Sequence, residues 1–214
     1  MKYKNKKLKI TCDGGAATGK TTGAKMIAKK YGLKFLSSGL LYRYSSYLIL
    51  KYQPKNFTSF LNKKFKKLNY QNIKKINLHT PKISSHSAEI AKILSVRNIL
   101  KRYQLMFIKK NLGCVLEGRD ASTKICPDSD VKFFFKCNLD IAARRRYSEL
   151  KKRGVKINLK SVKKALKLRN ISDKKRKHSP LKKHKNAVIV DTKKLNKQAM
   201  LIKMVKHVER VLNN

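Results

Sequence analysis

Gly14-Gly15-Ala16-Ala17-Thr18-Gly19-Lys20-Thr21 has the G-x-x-x-x-G-K-T form of a loop that cradles phosphate. Its glycines let successive backbone N–H groups turn toward a polyphosphate, and a helix beginning at the loop's end adds its partial positive charge. The flanking sequence supplies the required context. Leu8 to Cys12 reads as a short buried strand, and from Lys20 to about Tyr31 the apolar residues Ala24, Ile27 and Ala28 recur at helical spacing. Gly14, Gly15, Ala16, Ala17, Thr18, Gly19, Lys20, Thr21 and Thr22 therefore form the expected nucleotide-binding set. Lys20 is placed to reach the β- and γ-phosphates of ATP, and the Thr21 hydroxyl to coordinate Mg²⁺.

Outward from the loop, strand and helix patterns alternate. Leu33 to Leu36 reads as a second strand, and Ser38-Gly39 opens a helix to about Lys51. After Pro81, Ser84 to about Asn111 has the spacing of one long helix, with Ile90, Ile93, Leu94, Ile99 and Leu100 on its apolar positions. Cys114 to Glu117 and Val131 to Phe135 read as buried strands, and Leu139 to Lys152 and Asn158 to Asn170 as helices. A basic stretch from Ser172 to Lys185 leads to a last strand, Ala187 to Val190, and a terminal helix, about Asn196 to Val211. Such alternation predicts an α/β fold with a central parallel sheet flanked by helices. Residues 53–77, rich in Lys, Asn and aromatics, read as an insertion. The core is then 1–52 and 78–214, with a lid at about 148–177.

The 214 residues suit one α/β core with a lid. No segment approaches the roughly 18 apolar residues of a membrane span, so a soluble, cytoplasmic protein is expected, acting as a monomer. Cys12, Cys114, Cys126 and Cys137 lack C-x-x-C spacing and read as free thiols. The formal net charge of +44 points at first to nucleic acid. It comes, however, from 44 Lys spread along the whole chain, against 11 Arg. Weak, salt-sensitive adhesion to RNA is expected, without a specific nucleic-acid partner.

Seven of the eleven arginines, Arg43, Arg97, Arg119, Arg145, Arg146, Arg169 and Arg176, fall near segments expected to face a ligand. Where a chain otherwise uses Lys, such positions suit the planar fork that grips phosphate oxygens in pairs. A surface ion pair is the ordinary alternative for any one of them. Glu117 ends an apolar strand, where a carboxylate can stand near a metal. Gly118-Arg119-Asp120 follows at the ligand-facing end of a parallel strand. No Ser-His-Asp, Cys-His or metal-ligand His cluster is visible, so positioning and charge stabilisation would carry the chemistry.

The motifs together resemble those of bacterial-type cytidylate kinase, from about residue 8 to 192. Asp13-Gly14 and the loop are similar to its ATP-phosphate loop, and Ser38-Gly39-Leu40-Leu41-Tyr42-Arg43 to its acceptor motif. Thr80-Pro81, Val96-Arg97, Gly118-Arg119-Asp120, Pro127-Asp128, Arg145-Arg146, Arg169, Asp173, Arg176, Pro180-Leu181 and Asp191-Thr192 follow in the family's order. The resemblance implies a P-loop kinase that uses Mg²⁺-ATP to phosphorylate CMP, and dCMP as well, to the diphosphate.

Carried over, it implies that Arg43, Arg119 and Arg176 hold the acceptor phosphate, with Ser38 in the same motif. It implies that Arg97 and Asp120 read the cytosine edge, and that Arg169 and Asp173 hold the sugar. Arg145 and Arg146 would close over ATP; with Lys20 and Arg119 they form the expected catalytic set, and Thr21 and Glu117 the metal set. The chain departs from the family at Ser37, Ala88, Ala142 and Asn170, and its monophosphate-binding insertion is shorter, so that region's small sheet is expected to be trimmed. A kinase of another acceptor such as UMP, or an RNA-associated P-loop protein, are the alternative readings.

Overall fold

The structure, a computed structural model, describes residues 7–213; the outermost residues of the expected core, 1–6 and 214, lie outside the described residues. Five strands, β1 (Lys9–Gly14), β2 (Lys34–Ser37), β3 (Cys114–Gly118), β4 (Val131–Lys136) and β5 (Val188–Asp191), form one sheet in the order β2-β3-β1-β4-β5. β1 runs parallel to both β3 and β4, and β4 parallel to β5. The central strands are buried along nearly their whole length, which is why they read as continuous apolar runs. Register places Asp13 opposite Gly118 and Gly14 opposite Phe135, so the carboxyl ends of β1, β3 and β4 lie together.

The helices are α1 (Lys20–Tyr31), α2 (Ser38–Tyr52), α3 (Phe57–Lys66), α4 (Tyr70–Ile73), α5 (Pro81–Ile90), α6 (Leu94–Lys110), α7 (Leu139–Lys152), α8 (Leu159–Lys175) and α9 (Lys197–Asn213). The chain divides into two compact units. One holds the described residues up to Phe35 and from Leu112 onward; the other is Leu36–Asn111.

In the first unit, α1 and α9 cover the sheet. Ile10, Val115, Phe133 and Phe135 meet Ile27 of α1 and Met204 of α9 in one apolar cluster. Each such side chain removed from water contributes about 1.5–3 kcal/mol. Two glycines allow close approach here. A Cβ on Gly14 would lie 2.5 Å from the Phe135 carbonyl oxygen, and one on Gly23 would lie 2.8 Å from the Phe135 ring tip and 3.1 Å from Met204 Sδ. A second cluster joins α7 and α8 through Ala142, Ala143, Leu150, Val162 and Leu166, with Ala16 and Ala17 of the phosphate loop packed against it.

The second unit is helical apart from the end of β2. Ser37 caps α2 by accepting the Leu40 N–H, and the Ser37 N–H itself donates to the Tyr70 hydroxyl at 2.8 Å. The aromatics of 53–77 have a packing role: Phe65 meets Tyr44 of α2 and Tyr103 of α6 edge-on. Instead of a trimmed sheet, this segment forms α3 and α4, with no strand among its described residues. Leu61 and Phe65, four residues apart, give α3 its buried stripe.

The long helix expected from Ser84 to Asn111 is two helices. Ile93 is extended (φ −83°, ψ 120°) and starts α6, while Ala91 ends α5. The break is sealed by the buried Arg97, whose Nη1 donates to the Ala91 carbonyl at 3.0 Å. Ile93 and Leu94, which carry the expected apolar spacing across this point, are exposed instead. In the first unit α8 runs to Lys175, five residues past its expected end at Asn170, and so extends into the basic stretch.

Candidate active site

Gly19, left-handed at φ 83°, precedes the first turn of α1, and the loop wraps back from β1 to reach it. Lys20 is buried. Its ammonium donates to the Gly15 carbonyl at 3.0 Å and stands 3.4 Å from Glu117 Oε1 at the end of β3. Burial, reinforced by the Arg119 charge, pushes the Lys20 pKa down to about 8 against the opposing pull of Glu117. Thr18 Oγ also donates to the Gly15 carbonyl. Thr21 is exposed and Thr22 half-buried.

A cavity of about 570 Å³ opens over this loop, walled by Thr18, Lys20, Thr21, Arg145, Arg146 and Thr192 among others. Arg145 enters from α7, donating to Thr192 Oγ at 2.9 Å and to the Thr192 carbonyl at 2.8 Å. The Thr192 hydroxyl donates in turn to the Thr18 carbonyl at 2.9 Å, tying the end of β5 to the loop. Arg146 pairs with Glu149 at 2.8 Å. The sequence reading noted Thr192 only as part of a motif; its position as a hub between arginine and loop depends on residues 174 apart and has no local signature.

Beside the loop, three arginines converge on one buried carboxylate. Arg119 Nε donates to Asp173 Oδ2 at 2.8 Å, Arg176 Nη1 to Oδ1 at 3.4 Å, and Arg169 Nε stands 3.7 Å from Oδ2. Arg176 also lies 3.9 Å from Asp120 and donates to the Ser179 carbonyl. Burial raises the Asp173 pKa, but Arg119 above all, then Arg169 and Arg176, outweigh it and hold the carboxyl below its usual range. Arg169 is itself lowered to about 10 by burial and by the Arg119 charge. Lys20, Arg119, Arg169 and Arg176 thus stand among the acids Glu117, Asp120 and Asp173, and Arg119 also feels the charge of Asp13. The resemblance assigns Arg119 and Arg176 to phosphate and Arg169 with Asp173 to sugar; the structure gathers the three arginines around Asp173.

Asp13 is a residue whose part the motifs did not reveal. Fully buried at the end of β1, it accepts the Ala121 N–H on one oxygen, and the Ser122 N–H and hydroxyl on the other, at 2.6–2.8 Å. These bonds hold a single π turn, Ala121–Ile125, that directly follows Gly118-Arg119-Asp120. Burial prevails over the three donors and pushes the Asp13 pKa up to about 6. A lone acid in a strand was the available signal, since a charge in a central strand needs donors.

The second unit carries the remaining candidates. Ser38 is buried at the start of α2. Arg43 donates to the Leu78 carbonyl at 3.0 Å and to Ser84 Oγ at 2.6 Å. Arg97, besides sealing the helix break, lies 5.7 Å from the Tyr42 ring centroid. Ala88 is half-buried, and the hydroxyl of the adjacent Ser87 donates to the Ser84 carbonyl at 2.8 Å.

Among the described residues, no three His, Cys, Asp or Glu gather into a group able to hold a metal by themselves. Of the two residues expected to hold Mg²⁺, Thr21 is exposed at the mouth of the cavity and Glu117 is buried beside Lys20; a hydroxyl and an acid are the oxygen donors that a hard cation takes.

A parallel sheet whose central strand ends in a phosphate loop, with a buried lysine and an arginine cluster at the carboxyl ends of its strands, defines a P-loop kinase. The family model for cytidylate kinase matches residues 10–210. Cytidylate kinase of Thermosipho melanesiensis is 35% identical over 211 residues, covering 94% of this chain and 96% of the relative. That of Bartonella bacilliformis is 38% identical over 190 residues, covering 87% of each. The chain belongs to the cytidylate kinase family. Among solved structures, shikimate kinase from Bacteroides thetaiotaomicron superposes with a TM-score of 0.51 at 12% identity, covering 97% of this chain and 99% of that one. An uncharacterised protein from Eubacterium ventriosum gives 0.55 at 13%, covering 96% and 99%. At such identity the likeness is one of fold.

Proposed function

We propose that this chain transfers the γ-phosphoryl group of ATP to CMP, and to dCMP, forming the diphosphate and ADP. The observation that supports it best is the cluster of Arg119, Arg169 and Arg176 in the same compact unit as the phosphate loop and Lys20. An oxygen of the acceptor's own phosphate is the nucleophile, ionised near neutral pH. It bonds to the γ-phosphorus as the bond from that phosphorus to the β–γ bridging oxygen breaks, so no general base is needed. Catalysis is then alignment and stabilisation of charge.

Lys20 and the loop N–H groups hold the triphosphate. Arg145 and Arg146 meet the charge that develops on the transferred group. Arg43, Arg119 and Arg176 hold the acceptor phosphate, Arg169 and Asp173 the sugar, and Arg97 and Asp120 the cytosine edge, with Ser38 at the head of α2. Mg²⁺, when bound, neutralises charge on the β- and γ-phosphate oxygens; Thr21 and Glu117 are the residues that would hold it. Residues 148–177 act as the lid and 53–77 as the monophosphate-side insertion. No described helix is long and apolar enough to cross a membrane.

A coupled assay with Mg²⁺-ATP and CMP, dCMP, UMP, AMP or GMP tests the proposal. CMP is expected to show the highest kcat/KM, with dCMP next. UMP turned over as well as CMP would overturn the assignment of Arg97 and Asp120. RNA binding with no turnover of any monophosphate would overturn the reaction itself.

A further inference from the structure

One hydrogen bond to the phosphate loop comes from a helix outside it. The Ala16 N–H donates to Asn170 Oδ1 at 3.1 Å, across 154 residues of chain. The peptide unit joining Gly15 to Ala16 is thereby gripped on both sides. Its N–H is held by Asn170 of α8, and its carbonyl accepts from Lys20 Nζ and Thr18 Oγ, each at 3.0 Å. Asn170 lies against the loop closely enough that a Cβ on Gly15 would sit 3.1 Å from its Oδ1. The next residue, Ala17, is left-handed at φ 55°. That conformation costs a non-glycine residue about 1–2 kcal/mol and persists only where its surroundings enforce it. Ala16 and Ala17 pack against the apolar cluster of α7 and α8, so the enforcing surroundings include the helix that carries Asn170.

The same stretch of α8 carries the arginine cluster. Arg169 precedes Asn170 and stands 3.7 Å from Asp173, which in turn holds Arg119 and Arg176. Within about one helical turn, α8 thus touches the phosphate loop through Asn170 and the acceptor-side cluster through Arg169 and Asp173. Asn170 is thus the side chain through which a change at the Gly15–Ala16 peptide would reach α8 and the neighbouring Arg169 and Asp173. Linkage makes the effect reciprocal.

We propose that Asn170 is a positioning residue that couples the two nucleotide sites, so that a bound nucleoside triphosphate raises the affinity for the monophosphate through α8, and the reverse. The inference rests on the reading of ATP and CMP as substrates.

Calorimetric titration of the full chain with CMP tests it, with and without a saturating β,γ-imido analogue of ATP and Mg²⁺. For the wild type the analogue is expected to lower the CMP Kd by about tenfold, within the usual range of site–site coupling. In Asn170→Ala the factor should fall below about twofold, and Asn170→Asp, which keeps the acceptor oxygen, should restore it to about fivefold or more. Because the readout is a ratio, a general loss of stability or of single-ligand affinity does not imitate it. An Asn170→Ala chain that keeps the wild-type factor overturns the proposal, as does a wild type that phosphorylates CMP yet shows no enhancement. A wild type that neither binds nor phosphorylates CMP overturns instead the reading of the substrate.

Discussion

The two compact units position their arginines by different means. In the first, Arg119, Arg169 and Arg176 are gathered on the buried carboxylate of Asp173. In the second, Arg43 is set by a carbonyl and a hydroxyl, and Arg97 by a carbonyl and an aromatic face. Several cations crowded at one place repel one another and need an anion to remain folded in register. Under the proposed function a phosphate arriving there would compete with Asp173 for the forks, whereas two carbonyls and the Ser84 hydroxyl are among the partners that set Arg43 and Arg97.

The contrast breaks most visibly at Lys20. Lys20→Ala is expected to lower kcat/KM about 10³-fold in the coupled assay, since it removes a buried cation aimed at the transferred group and leaves Glu117 without its ammonium. Turnover near the wild-type level would show that the buried pair is scaffolding. Next in size, Asp173→Ala leaves three arginines around a vacated carboxylate, and urea unfolding should show a loss of about 3–5 kcal/mol. If that loss is instead below about 1 kcal/mol, the cluster does not depend on its central acid.

A pH titration separates the units further. Lys20 has a folded pKa of about 8, below its ordinary 10.5, so its charged form is disfavoured by folding. The destabilisation is fully present below pH 8 and fades as pH rises toward 10.5. Activity has the opposite dependence: kcat/KM should fall as pH rises through about 8, because the phosphate-holding charge is lost. A profile flat to pH 9.5 would contradict this. The smallest expected effect lies in the second unit. Ser84→Ala removes one neutral acceptor from Arg43 and should cost about 1 kcal/mol of stability, raising the CMP KM with little change in kcat. A loss equal to that of Asp173→Ala would erase the distinction between the units.

Much of this organisation was legible from local pattern. The loop, the buried strands and the motif arginines each announce themselves within a few residues, because glycine spacing, apolar runs and Arg in a Lys-rich chain are local signals. The helix break at residues 91–93 was not, since Arg97 seals it by reaching back to a carbonyl six residues earlier, and the apolar Ile93 and Leu94 that suggest one helix are exposed. Asp13, Asn170 and Thr192 acquire their parts from bonds spanning 108, 154 and 174 residues. No period or spacing encodes such pairings; only the parallel register of the sheet and the packing of α7 and α8 bring them together.

Phe135 stands against glycines on either side of the loop, but holds them differently. Gly14 is confined by the Phe135 carbonyl, which every residue at 135 would present, while Gly23 is confined by the tip of the ring. The two glycines therefore have different futures under mutation. Position 14 is closed to any side chain whatever happens at 135, whereas position 23 is limited by side chains alone, the Phe135 ring at 2.8 Å and Met204 Sδ at 3.1 Å. An alanine at 23 therefore calls for a smaller residue at 135 and a shift of Met204, and a chain that loses the ring first has to survive the cavity left between α1, α9 and the sheet.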